Sequence, residues 1–175
     1  MPKIAVINGS VIDKNYTGFA LNLIKDELTE YNIDVIDIDL REYNLPFPGR
    51  TIENDNSQKL RDTLAPADAF ILGTPEYNGS YTAALKNLID NIGYPNAMKG
   101  KPIGLLGVAS GVLGATKSLE HLRSVCSHIG GMVLPRVVSI GEIEKYFDKN
   151  GNCKDEKTEK EIRKVAINLV EYLNK

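Results

Sequence analysis

Apolar residues recur along this chain on two rhythms, one set by strands and one by helices. Lys3–Ile7, Asp68–Gly73 and Lys101–Ser110 are short and almost continuously apolar, as strands buried on both faces of a parallel sheet are. Asp34–Asp39 reads instead as alternating apolar and acidic positions, with Asp34, Asp37 and Asp39 expected on one exposed face. Met132–Ile140 completes a set of five strands, and Pro135 inside it predicts a sheet edge, since proline donates no ladder hydrogen bond. Between these runs the spacing lengthens to three and four residues. A helix from Thr17 is predicted to bury Ala20, Leu23, Ile24, Leu28 and Tyr31, and a short one spans Ser57–Leu64. The segment ending at Ile92 buries Ala84, Leu85, Leu88 and Ile89, with Lys86, Asn87, Asp90 and Asn91 opposite. A helix over Ala115–Ile129 and a last one burying Ile162, Val165, Ala166, Leu169 and Leu173 complete the pattern.

Strands alternating with helices predict an α/β fold: a three-layer, doubly wound five-stranded parallel sheet with right-handed crossovers. The acidic strand and the proline-bearing strand occupy its edges if the order is 2-1-3-4-5. That order leaves a switch point between the first and third strands, where open parallel sheets bind ligands at the carboxyl ends. The longest irregular stretch, Leu40–Asn56, carries Tyr43, Phe47 and the breakers Pro46, Pro48 and Gly49, and is expected to wall the ligand site or meet a partner. Lys145–Asp155 reads as a polar turn around Asn150-Gly151. There is no internal repeat, and 175 residues suit one domain, 1–175.

Composition removes several alternatives. The chain is 42% hydrophobic and 25% charged, with a net charge of −2, so neither disorder nor attraction to nucleic acid or an anionic membrane is expected. Cys126 and Cys153 form no CxxC pair and imply reduced thiols. No apolar run reaches membrane-spanning length and Met1-Pro2-Lys3-Ile4 enters a strand at once, so a cytoplasmic location is expected. His121 and His128 are seven residues apart with Cys126 between them, which is not zinc-ligand spacing.

The candidate chemistry lies in three strand-to-helix turns. Asn8-Gly9-Ser10 opens a polar loop that runs into a helix N-terminus, where free backbone N–H groups and the helix dipole favour an anion. Ser10, Asn15 and Thr17 add side-chain donors there and Lys14 adds charge, although the same residues also suit ordinary loop and capping roles. Neither GxGxxG nor a Walker lysine is present. Pro75-Glu76-Tyr77-Asn78-Gly79 sets aromatic, carboxylate and amide groups at the end of the third strand, as if to hold something flat and polar. Ser110-Gly111-Val112-Leu113-Gly114 is a second glycine-bearing turn at the same edge.

The run GTPEYNGSYTAALKNLIDNI, together with Gly9-Ser10, Leu45-Pro46 and Ser110-Gly111, resembles the NADPH-dependent FMN reductase family, a flavodoxin-like group. The resemblance implies FMN as cofactor, NADPH or NADH as co-substrate, and a homodimer or tetramer. By position it assigns Ser10, Asn15 and Thr17 to the FMN phosphate, with Tyr16 beside them as a further cofactor-binding residue. Pro75, Glu76, Tyr77, Asn78 and Gly79 would lie along the flavin ring, and Ser110 and Gly111 on its pyrimidine side. It further implies ping-pong hydride transfer from NAD(P)H through the flavin to a quinone-like or other small acceptor. The helix after Gly114 would favour the negative charge of the reduced ring, and no side chain would serve as acid or base. Ile12 and Asn15 stand where the family usually has arginine and serine, and Thr82-Ala83 where it has Pro-Gly. Two other readings stay open: a flavodoxin-like electron carrier, which the modest net charge disfavours, and a flavin-free nucleotide-binding regulator.

Overall fold

The computed structural model describes residues 1–175. Its sheet is parallel throughout, built from β1 (Lys3–Asn8), β2 (Asp34–Asp39), β3 (Ala69–Pro75), β4 (Pro102–Val108), β5 (Met132–Val133) and β6 (Val138–Ile140). The order is β2-β1-β3-β4-β5, with β6 also on β4. The helices are α1 (Tyr16–Glu30), α2 (Ser57–Leu64), α3 (Ala83–Asn91), α4 (Thr116–His128) and α5 (Glu156–Leu173).

Period-two alternation in the central strands sends side chains to two cores. Ile4, Val6 and Ile71 join Ile24 of α1 and Ile162 and Leu169 of α5 on one face. Ala5, Ile7, Phe70 and Leu72 join Leu60 of α2, Leu88 of α3 and Leu122 of α4 on the other. Full burial of each of the larger side chains among these contributes about 1.5–3 kcal/mol, so the two helical layers hold the sheet as one unit. In α1 the buried stripe is Thr17, Ala20, Leu21, Ile24 and Leu28; Leu23 is only packed against the rim and Tyr31 is exposed, contrary to the expected stripe.

The edges depart further from the expected pattern. Residues 34 and 37 are an odd number apart, so the three aspartates cannot share one face. Asp37 points to the α1 side, where Lys25 pairs with it at 2.6 Å, and Asp39 follows it. Asp34 falls on the other side of the strand, beside Lys3. At the far edge the expected fifth strand is two pieces. The ladder to β4 breaks around Pro135, which has no N–H, and Arg123 caps the carbonyls of Leu134 and Pro135 at 3.2 and 2.9 Å.

Leu40–Asn56 contributes no lining to the cavity at the carboxyl ends of β1, β3 and β4, although its Arg41 lines a neighbouring one. It begins with a 3₁₀ turn, Leu40–Glu42, and is then pinned to α3: Asn87 donates to the Leu45 carbonyl at 3.0 Å and Asn91 to that of Pro46 at 2.9 Å. The polar turn near Asn150 hides an apolar element, because Phe147 is buried and packs 6.1 Å from the Phe19 ring.

Candidate functional site

The carboxyl ends of β1, β3 and β4 open onto one cavity of about 280 Å³. The turns after these strands hold it together. Gly9 donates to the Gly73 carbonyl at 2.8 Å, and a Cβ on Gly9 would lie 2.7 Å from that oxygen, so only glycine allows the two turns to meet. Thr82 locks the junction. Its hydroxyl donates to the Gly9 carbonyl at 2.6 Å and accepts from Leu85 N–H as the N-cap of α3, while its own N–H reaches Thr74 Oγ1. The third turn is fixed from the other side, with Ala115 N–H on Ser139 Oγ and Ile143 N–H on the Ala109 carbonyl.

One end of the cavity is rich in donors. Asn15 caps α1, accepting from Gly18 N–H at 2.7 Å and donating to the Ile12 carbonyl at 2.7 Å, so its side chain is committed to the loop. Such a cap stabilises a helix by about 1 kcal/mol. It leaves the N–H groups of Asp13, Lys14, Asn15, Tyr16 and Thr17 without protein acceptors. Lys14 sits at φ +47, the left-handed conformation that makes successive N–H groups converge on an anion. Thr17 is 1% exposed, and its hydroxyl has no partner in the protein. Ser10, equally buried, accepts only a long 3.4 Å bond from Ile12 N–H. Free amides, unpaired hydroxyls and a helix N-terminus suit a phosphate.

The other end is apolar, with Pro75, Tyr77, Val108, Ala109 and Ile143 as walls. Tyr77 is 44% exposed, its ring half in solvent at the mouth. Apolar walls beside a donor-rich end are the mixed polarity that a flavin mononucleotide requires.

Of the residues singled out from the sequence, Ser10, Asn15, Tyr16, Thr17, Pro75, Glu76, Tyr77 and Ser110 line this cavity. Asn78, Gly79 and Gly111 do not. Asn78 and Gly79 have φ of +52 and +77 and form a tight reversal between Tyr77 and Ser80, which exchange both backbone hydrogen bonds and turn this tip outward. Gly111 is exposed and accepts from Gly114 and Glu142 N–H, serving the loop itself. The Glu76 carboxylate is held from the side of α4, where Oε2 accepts from Ser118 N–H at 3.0 Å in the first turn of that helix. A charge-assisted bond of this kind is worth roughly 1.5–3 kcal/mol. It also sets a negative charge at the positive end of α4, the helix terminus expected to act on a bound ring.

Val108, Ala109 and Ile143 were not singled out beforehand. The first two are ordinary strand-end residues in sequence, and Ile143 comes from a distant turn. Arg41, which no local sequence signal marks, adjoins the first loop. It pairs with Asp39 through two nitrogens and reaches Asp13 of the first loop at 2.9 Å. Hydrogen bonding to Arg41 holds the Asp39 carboxyl below the usual carboxylate range, against the opposing effect of burial. Ser80 Oγ lies 3.0 Å from His121 Nδ1 outside the cavity, and no cluster of His, Cys, Asp and Glu could hold a metal ion.

A parallel sheet in this order, with its site at the carboxyl edge of the switch point, defines a flavodoxin-like α/β protein. A flavodoxin from the domain Archaea superposes on it with a TM-score of 0.67 at 15% identity, covering 99% of both chains. FerB, a flavoenzyme NAD(P)H:(acceptor) oxidoreductase from Paracoccus denitrificans, superposes with a TM-score of 0.81 at 23% identity, over 99% of this chain and 98% of that one. The chain belongs to the NADPH-dependent FMN reductase family, whose model matches residues 2–145. It is an oxidoreductase with FMN as cofactor and NAD(P)H as co-substrate. The FMN-dependent NADPH-azoreductase of Staphylococcus aureus strain USA300 is 27% identical over 97% of this chain and 94% of its own length.

Proposed function

We propose that residues 1–175 act as one reductase domain that passes reducing equivalents from NAD(P)H to a small planar acceptor, a quinone or an azo compound, by a ping-pong route. The observation that carries this reading is the single cavity with unpaired amides and hydroxyls at one end and apolar walls at the other. When bound, FMN supplies the hydride chemistry. The chain's own part is to hold and orient. The amides of Asp13–Thr17, with Ser10 and Thr17 hydroxyls, take the phosphate, while Pro75, Tyr77, Ala109 and Ile143 confine the ring and keep water from one face. Tyr77 at the mouth offers an aromatic surface on which nicotinamide and acceptor stack in turn.

The site operates in the cytoplasm and in a homodimer. Val112 and Leu113 beside the cavity are 75% and 86% exposed, and Val11 and Ile12 on the opposite rim are 53% and 56% exposed. A rim of this kind favours a covering partner, and a second copy would narrow the mouth to planar acceptors. The electron-carrier reading rests on the flavodoxin likeness alone. Steady NADPH oxidation with a quinone or azo dye, and no added partner protein, is expected, with parallel double-reciprocal lines as acceptor is varied. Turnover only on addition of a protein partner would favour the carrier, and intersecting lines would sink the ping-pong order.

A further inference from the structure

We propose that Arg41 tunes the first loop for phosphate by cancelling the charge of Asp13, so that it takes the part of the arginine missing at position 12. This rests on reading residues 10–17 as the phosphate-holding end of the cavity.

The loop is the wall between two cavities. Beside the one described lies a second, of about 240 Å³, between α1 and the end of β2, and Lys14 and Asn15 line both. Ile12 offers no charge, and Lys25 is taken by Asp37 at 2.6 Å. Asp13 is the acid of this loop, and its side chain is 92% exposed next to the unpaired amides of Asp13–Thr17. An isolated carboxylate there would repel a phosphate dianion. Arg41 prevents that from a fixed position. Its backbone N–H and Nε sit on Asp39 Oδ1 at 3.0 and 2.9 Å, a second nitrogen takes the other Asp39 oxygen, and Nη1 is left to reach Asp13 Oδ1 at 2.9 Å. The guanidinium is therefore anchored to the sheet edge and not to the loop it serves. Its planar fork lets one cation meet two carboxylates, an arrangement lysine cannot reproduce. With Arg41 present, the charges of Asp13, Asp39, Arg41 and Lys14 sum to zero before phosphate arrives. Without it they are net negative.

The test compares FMN with riboflavin, which has the same ring but no phosphate, by equilibrium quenching of flavin fluorescence. Asp13→Asn, Arg41→Gln and the double variant are measured beside the unaltered protein, with circular dichroism as the check on folding. Arg41→Gln is expected to weaken FMN by about three- to tenfold and to leave riboflavin unchanged, as expected for one unit charge near a partly solvated site. Asp13→Asn, a change at an exposed side chain, is expected to tighten FMN, and Arg41→Gln is expected to cost less in its background. Equal weakening of FMN and riboflavin by Arg41→Gln, or an unaltered FMN preference in both single variants, overturns the proposal while leaving the phosphate site standing. An unaltered protein that binds the two flavins equally removes the phosphate reading itself, and this inference with it.

Discussion

Cys126 and Asp39 show how the same backbone imposes opposite chemistry on single residues. Cys126 is buried in the core under α4, and burial pushes its thiol up to about 12. Near neutral pH its reactive thiolate is then scarce, on the order of one part in ten thousand or less. Thiol-specific reagents are expected to label Cys153 alone in the folded protein and both cysteines after unfolding; labelling of Cys126 under native conditions would contradict its placement. Asp39 is shifted the other way, chiefly by its hydrogen bond to Arg41. Because the folded carboxyl is more acidic than the unfolded one, its contribution is present above the ordinary value of 3.8 and is lost as pH falls through the lower folded value. Asp39→Asn should therefore lower thermal stability at neutral pH and converge with the unaltered protein in strong acid. A stability deficit that stays constant down to the acid limit would rule out this linkage.

At the scale of elements, what the sequence disclosed follows from which signals are local. Continuous apolar runs identify β1, β3 and β4 because burial on both faces leaves no polar position to misread. The edges were harder. Pro135 correctly marked an edge, but how far proline would interrupt the ladder depends on Arg123, eleven residues upstream of Leu134, satisfying the freed carbonyls. The three aspartates of β2 were misplaced through parity alone. Asn8-Gly9-Ser10 and Pro75–Tyr77 announced themselves by residue type, whereas Ile143 and Arg41 reach the site through tertiary contacts that have no local signature. Thr82 lies between these cases. It looked only like a departure from Pro-Gly at a helix start, yet its hydroxyl both caps α3 and ties that helix to the first loop. Thr82→Val keeps the shape and removes both bonds. It should destabilise the fold by roughly 1–2 kcal/mol in chemical denaturation and weaken FMN as well. A loss of stability with no change in FMN affinity would reduce Thr82 to a cap.

For the whole molecule, the two cores make a platform and the three turns at its carboxyl edge line the candidate site. No helix is long and apolar enough to cross a membrane. Val11, Ile12, Tyr77, Val112 and Leu113 are exposed apolar residues on loops around the cavity, while others, Phe47 and Tyr94 among them, are exposed away from it. If a second copy covers that rim, Leu113→Glu should shift light scattering from a dimer mass toward a monomer mass while the helical circular dichroism signal is kept. An unchanged dimer would place the interface elsewhere. The central claim is that these turns hold FMN where NAD(P)H can reduce it. Its most direct test is to load the purified protein with FMN, remove oxygen, add NADPH and follow the visible flavin absorbance in a stopped-flow instrument. Rapid bleaching, with the colour restored by a quinone or an azo dye, is the predicted result. A protein that takes up no FMN, or whose bound flavin stays yellow with NADPH, would contradict the account.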